Sequence, residues 1–257
     1  MQFVRNEHHG LFHVWELGVS FLGRMSLELH HTSFARIASW EQMKLLSINV
    51  GLPRDIEWNG KLVRTSIFKE PVQGRVRVAQ LNLDGDQQSD LSVHGGIDKA
   101  VYAYPSEHYP SWRQELPGID LPRGVFGENF TTEGLVEETV HIGDRLRIGS
   151  AHFVVTQPRM PCFKLGIRFN RPDIVKRFLQ SGRAGFYLAV LVEGEVTAGD
   201  SIELLARGEH GITVADIISL YRTDATTQEL LRRATELASL PKAWRDYFRK
   251  RLWNPDD

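Results

Sequence analysis

VVTQPRMPCFKLG, residues 154–166, is the stretch on which the reading of this chain turns. It starts as a β-branched strand, Val154-Val155-Thr156, and runs into a turn fixed by Pro158 and Pro161. It ends around Cys162, the only cysteine in 257 residues, with Arg159 before it and Lys164 two residues after it. A strand that delivers a lone thiol among cations suits a presented thiolate, because nearby positive charge stabilises the ionised sulfur. It also suits a small buried hydrophobe, the commonest fate of a lone cysteine. The stretch alone leaves both readings open.

Working outward, strand Ala151–Thr156 delivers this motif, and the apolar run from Ala184 to Gly194 supplies a core strand, Phe186–Val192. Upstream, Leu45–Val50 reads as a strand with Asn49 and Gly51 at its exit. Asn59-Gly60 is the strongest local hairpin signal and pairs Asp55–Trp58 with Lys61–Ile67. Val72–Val78 alternates as one strand, Gln80–Leu83 continues to a turn at Asp84-Gly85-Asp86, and Ala100–Tyr104 is apolar. Ser106–Leu116 reads as a short helix interrupted by Pro110, Pro172–Ser181 as a helix, Glu193–Asp200 as a turn and Ser201–Ala206 as a closing strand. These spacings predict antiparallel, half-buried strands rather than a doubly wound sheet.

From Gly211 the period becomes helical. Thr213 caps one helix, Thr226 or Thr227 a second, and Pro241 opens a third. The fold class is therefore mainly β, residues 43–208, followed by a small three-helix domain, residues 209–257. Residues 1–42 have no sustained period, and a protein-like start appears at Met43. They read as an upstream extension or tail, set aside from the fold, whose paired histidines offer only adventitious metal binding.

Composition limits the function. Hydrophobic residues make up 42% and charged residues 25% of the chain, as in ordinary globular proteins. A net charge of -1 argues against a general nucleic-acid footprint, and the basic last helix reads as a solvent face. One cysteine excludes an internal disulfide and a multi-thiolate metal centre. No apolar run reaches the length of a membrane span, and the start lacks the pattern of a signal peptide, so the cytoplasm is expected.

Candidate site residues gather at three other places. His94-Gly95-Gly96 sets an imidazole against bare backbone, with Asp98 and Lys99 at the mouth of the following strand. Gly127-Glu128-Asn129 brings a carboxylate to a glycine-flanked position, and Arg183 follows Ser181-Gly182 in a loop. Each has a structural reading beside the functional one: a tight turn for His94, surface exposure for Glu128 and a loop cap for Arg183.

With these motifs in order, together with Ala100-Val101-Tyr102, the Gly143-Asp144 turn and Thr156-Gln157-Pro158-Arg159 to Cys162, the chain resembles the MOSC domain proteins. More narrowly it resembles the YiiM-like branch, which carries a three-α-helix domain behind the MOSC body. The resemblance covers the chain from about Met43 onward.

It implies a barrel-like β fold and a pocket for a pterin-bound molybdenum cofactor, molybdopterin, with Cys162 as the ligand to molybdenum. It also implies reduction of N-hydroxylated compounds such as 6-hydroxylaminopurine, a detoxification of base analogues, and a homodimer. At family level pyridoxal phosphate binding is associated as well. Under this reading Cys162, Asp98, His94 and Glu128 are the catalytic candidates. Asn49, Gly95, Gly96, Lys99, Asn129, Arg159, Lys164 and Arg183 are the cofactor-binding candidates.

The chain has neither a dinucleotide fingerprint nor cysteines for its own iron–sulfur cluster, so electrons require a separate reductase. The competing expectation is a sulfur or molybdenum-cofactor carrier that uses the Cys162 thiol. A weaker one is a plain β-barrel interaction module with an incidental cysteine.

Overall fold

The computed structural model describes residues 43–90, 95–222 and 228–253. The expectations for residues 1–42, for His94 and for the Thr226 or Thr227 cap lie outside the described residues.

The chain begins with strands β1 (Lys44–Val50), β2 (Arg54–Trp58), β3 (Lys61–Thr65), β4 (Glu70–Val72), β5 (Arg75–Val78) and β6 (Val101–Pro105). Helix α1 (Tyr109–Glu115) leads to β7 (Phe130–Glu133), β8 (Arg145–Ile148) and β9 (Ala151–Pro158). Helices α2 (Phe163–Phe169) and α3 (Ile174–Ser181) precede β10 (Phe186–Val192), β11 (Gly194–Thr197) and β12 (Ile202–Ala206). Three helices finish the described chain: α4 (Val214–Arg222), α5 (Gln228–Glu236) and α6 (Lys242–Trp253).

An 8-stranded sheet in the order β12-β8-β9-β10-β6-β7-β1-β4 forms the body, with β11 and β5 paired beside it. Its pairs are antiparallel except β6 with β7. A parallel pair needs a long crossover, which α1 and the loop after it supply. The hairpin β2–β3 forms as expected, with Asn59 (φ 51) and Gly60 (φ 71) both left-handed, as a two-residue turn of this type requires.

The expected barrel does not close. β1 gives Ile48, Asn49 and Val50 to β4, so only its first residues face β12. That seam holds the bridge Lys44–Ser201 and backbone bonds from Leu45 N–H to Asp200 O (2.9 Å), from Gly199 N–H to Leu45 O (2.7 Å) and from Ile202 N–H to Met43 O (2.7 Å).

Local differences have local causes. The span 72–78 is two strands, because the chain turns at Gly74. Beyond β5 only the bridge Val78–Leu83 continues the pairing. Pro110 starts α1 instead of interrupting a helix, since its missing N–H has no partner to lose in the first turn. The expected turn 193–200 contains β11, which pairs along β5 from Gly194 to Thr197.

The segment after Cys162 continues as α2. Leu165 and Phe169 lie one turn apart and are both buried, and Asn170 (φ 49) closes the helix by donating to the Gly166 and Ile167 carbonyls.

The core behind β6 is aromatic. Trp112 stacks on Phe178 with centroids 5.9 Å apart, and Phe126 packs 4.6 Å from Tyr104. Each such ring contributes roughly 1.5–3 kcal/mol on burial, so α1 and α3 are firmly seated. The C-terminal helices belong to the same compact unit. Thr213 and Asp216 cap α4 reciprocally, with Asp216 N–H to Thr213 Oγ1 at 3.0 Å and Thr213 N–H to Asp216 Oδ2 at 2.8 Å. Val214 N–H donates to Val140 O at 2.9 Å, which ties α4 to the body. Among the described residues no helix is long and apolar enough to cross a membrane.

Candidate functional site

A cleft opens where β9 ends. Its lining includes Arg159, Cys162 and Lys164 from the opening motif, Lys99 and Tyr102 from the segment around β6, Tyr187 of β10, and Lys69, Asp86 and Asn129. Lys69, Lys99, Arg159 and Lys164 set four cations against the single carboxylate of Asp86. Such an excess favours an anionic guest.

Arg159 is the most constrained of these cations. Its N–H donates to Gly185 O at 3.2 Å, fixing the backbone just past β9. The guanidinium lies 5.4 Å from the Tyr102 ring and 5.0 Å from the Phe178 ring, and the residue is only 5% exposed. Its Nη1 is buried without a hydrogen-bond partner among the described residues. An unsatisfied buried donor costs about 1–3 kcal/mol, more when charged, and a bound oxyanion would recover that cost.

Cys162 caps α2 in an extended conformation, and its carbonyl accepts from Leu165 N–H at 2.9 Å. The thiol is half-buried in the cleft, which decides against the fully packed reading of the lone cysteine. Lys164, largely buried, donates through Nζ to Ser89 Oγ at 3.1 Å. Burial pushes the Lys99 ammonium down from the ordinary lysine range, against the pull of Asp98. Burial pushes the Tyr102 and Tyr187 phenols up, so both stay neutral hydroxyls.

The floor is an amide-centred network. Asn129 Nδ2 donates to Asp86 Oδ2 at 2.9 Å and to Asn49 O at 3.3 Å, while its Oδ1 accepts from Tyr102 N–H at 3.1 Å. Asp86 also accepts from Gly51 N–H at 2.8 Å and pairs through Oδ1 with buried Lys69. Burial lowers the Lys69 pKa while Asp86 opposes it. Lys69 and Asp86 are therefore held in place from below.

Several expected residues stand elsewhere. Glu128 does not line the cleft and is not surface-exposed. It is fully buried and accepts from Gly124 N–H (2.8 Å), Phe126 N–H (3.1 Å), Thr131 Oγ1 (3.0 Å) and the Tyr109 hydroxyl. A side chain so occupied holds the loop before β7 and stands apart from the cleft, so the structure gives Glu128 a structural place instead of the catalytic one expected of it. Burial raises its pKa, against those donors.

Asn49 lies behind the lining, bonded to Ser47 Oγ and Thr131 Oγ1 at 2.8 and 3.1 Å. Arg183 lines a different cleft. Gly95, Gly96 and Asp98 flank the lining rather than join it: the Asp98 carbonyl accepts from Thr156 Oγ1 at 2.7 Å, which seats the turn bearing Lys99. Lys69, Asp86, Tyr102 and Tyr187 were not among the sequence candidates. Asp86 was visible only as a turn residue, and Lys69 carries no motif at all.

An open mainly β body, a half-buried thiol among cations and a trailing helical unit define a MOSC-type protein. Comparison with known families agrees: residues 90–203 match the MOSC domain and residues 212–253 the YiiM-like, 3-alpha helix domain. YflK of Bacillus subtilis is 43% identical over 211 residues, which cover 82% of this chain and 95% of YflK. A protein named Reductase from Gibberella moniliformis is 35% identical over 75% of this chain, which spans only 35% of that longer protein. The crystal structure of YiiM from Geobacillus stearothermophilus superposes with a TM-score of 0.69 at 36% identity, covering 82% of this chain and 99% of that one. The chain belongs to the MOSC family, in its YiiM-like branch with a three-helix domain.

Proposed function

We propose that the cleft holds molybdopterin, with Cys162 Sγ as the protein ligand to molybdenum, and that the chain reduces N-hydroxylated compounds such as 6-hydroxylaminopurine. The observation that carries this reading is the orphaned, buried Arg159 Nη1 in the same cleft as the half-buried thiol. A group with an anionic phosphate and a thiophilic metal meets both needs. The relative named Reductase supports a redox role.

When bound, the cofactor supplies the two-electron chemistry that breaks the N–O bond. The chain's own residues bind and position. Arg159, Lys99 and Lys164 hold the anionic end, and Lys69, pinned by Asp86, adds charge from below. The neutral Tyr102 hydroxyl, donating to Ala184 O at 2.8 Å, keeps that wall in place. Conversion of R–NHOH to R–NH2 and water consumes two electrons and two protons. Asp98, which stands beside Lys99 at the edge of the lining, relays those protons in this reading. The electrons come from a separate reductase, and the working form is a cytoplasmic homodimer.

Turnover of 6-hydroxylaminopurine with a reductase and the purified wild type tests this, with Cys162→Ser as the inactive control. Reduction that persists in Cys162→Ser contradicts it. The partial exposure of Cys162 also suits a sulfur or cofactor carrier. A persulfide on Cys162 by mass spectrometry, without electron-dependent turnover, selects that second reading.

A further inference from the structure

A second cleft, lined by His108, Glu138, Ser181, Arg183, Ser219 and Arg222, lies where α4 meets the loop after α3. Arg183 is fixed in it. Its Cζ sits 4.2 Å above the Trp112 ring and its Nη2 pairs with Glu115, while Nη1 is buried with no hydrogen-bond partner among the described residues.

Arg222, the last residue of α4, packs on the bare backbone of Gly182 (φ 74), where a Cβ would stand 3.2 Å from its Nη1. Among the described residues no carboxylate pairs with Arg222. The other groups nearby are already committed. His108 Nε2 is bonded to Glu137 at 2.7 Å, the second Glu137 oxygen accepts Gly185 N–H at 2.6 Å, and Ser181 Oγ donates to Phe178 O at 2.8 Å. Glu138 is the one acid of the lining.

We propose that this second cleft binds a small oxyanion, the phosphate or carboxylate group of a metabolite, between Arg183 Nη1 and the Arg222 guanidinium, with the Ser219 hydroxyl as a further donor. Two guanidiniums, one holding an unmet buried donor, match an oxyanion with several acceptor lone pairs. The site is distinct from the thiol cleft and does not depend on the cofactor reading. The segment of residues 183–185 runs between the two, its Ala184 and Gly185 carbonyls accepting from the Tyr102 hydroxyl and the Arg159 N–H.

Equilibrium dialysis of labelled inorganic phosphate against the full-length protein tests the proposal, using wild type, Arg222→Gln, Ser219→Asp and Arg159→Gln. Wild type is expected to show a saturable site besides that of the thiol cleft, and Arg222→Gln weakens this second site about tenfold, a loss of about 1.4 kcal/mol. Ser219→Asp weakens it as strongly by placing a like charge on the wall, and it leaves both arginines in place should Arg222→Gln disturb α4. Arg159→Gln leaves the site intact. Competition by malonate or by glycerol phosphate then identifies a carboxylate or a phosphate ester as the preferred source of the group. Binding unchanged in both Arg222→Gln and Ser219→Asp, binding lost in Arg159→Gln alone, or no saturation below about 10 mM would each overturn the proposal.

Discussion

Trp244 Nε1 donates to Gln157 Oε1 across 2.7 Å, joining the last helix to β9 two residues before Arg159. Gln157 in turn reaches the Asp98 carbonyl from Nε2 at 3.5 Å, the same carbonyl that Thr156 holds at 2.7 Å. Through Gln157 the helical domain is therefore tied to the turn that bears Lys99.

Trp244→Phe keeps most of the ring that packs 5.7 Å from Phe248 and 5.6 Å from Tyr221 but deletes the donor. The expected cost is about 0.5–1.5 kcal/mol in chemical denaturation. Anion affinity of the thiol cleft should also fall, because the turn carrying Lys99 loses part of its seat. Unchanged affinity would show that the helical domain does not position that turn.

Lys69→Met leaves the Asp86 carboxylate buried with its cation gone. Loss of one partner from a buried pair typically costs about 3–5 kcal/mol. The pair Lys69→Met with Asp86→Asn should be more stable than Lys69→Met alone, and urea midpoints of wild type and the two variants measure this.

Glu128 ties stability to pH. Burial raises its folded-state pKa above the unfolded value, so its contribution is complete below the ordinary glutamate range and is lost as pH rises through the folded value. Glu128→Gln removes that dependence and leaves donors from Gly124 and Tyr109 less well met, at a cost of about 1–3 kcal/mol. The gap between wild type and Glu128→Gln should be widest at acid pH and shrink toward neutrality. A gap that widens with pH would reverse the sign assigned to Glu128.

Arg159→Lys keeps the charge but loses the planar fork and its place between Tyr102 and Phe178. Phosphate affinity at the thiol cleft should fall about 10–100-fold, as isothermal titration can measure. A variant that binds as tightly as wild type would mean that the orphaned Nη1 does not face the guest.

Much of the body was legible because its signals are local. Asn59-Gly60 specifies its own turn, and the apolar runs 45–50 and 186–192 became strands at nearly the expected bounds. Thr213 capped its helix through Asp216, three residues away. The misses came from tertiary choice. Phe163–Phe169 is too short and too mixed for its period to separate helix from turn, and β11 exists because β5 offers it an edge.

The site divides the same way. Cys162, Arg159, Lys164, Lys99 and Asn129 were visible as motifs and do converge on one cleft. Lys69 and Asp86 meet only through the folded backbone, 17 residues apart. Glu128 and Arg183 stand away from that cleft, and the sequence shows neither the four donors around the one nor the Trp112 ring under the other.

The most direct test of the central claim is metal and pterin analysis of freshly purified wild type beside Cys162→Ser, both expressed with ample molybdate. The account predicts molybdenum and pterin together in wild type, and loss of molybdenum in Cys162→Ser with the fold intact by circular dichroism. Wild type without molybdenum or pterin in any preparation, or Cys162→Ser that retains molybdenum at the wild-type level, would contradict it.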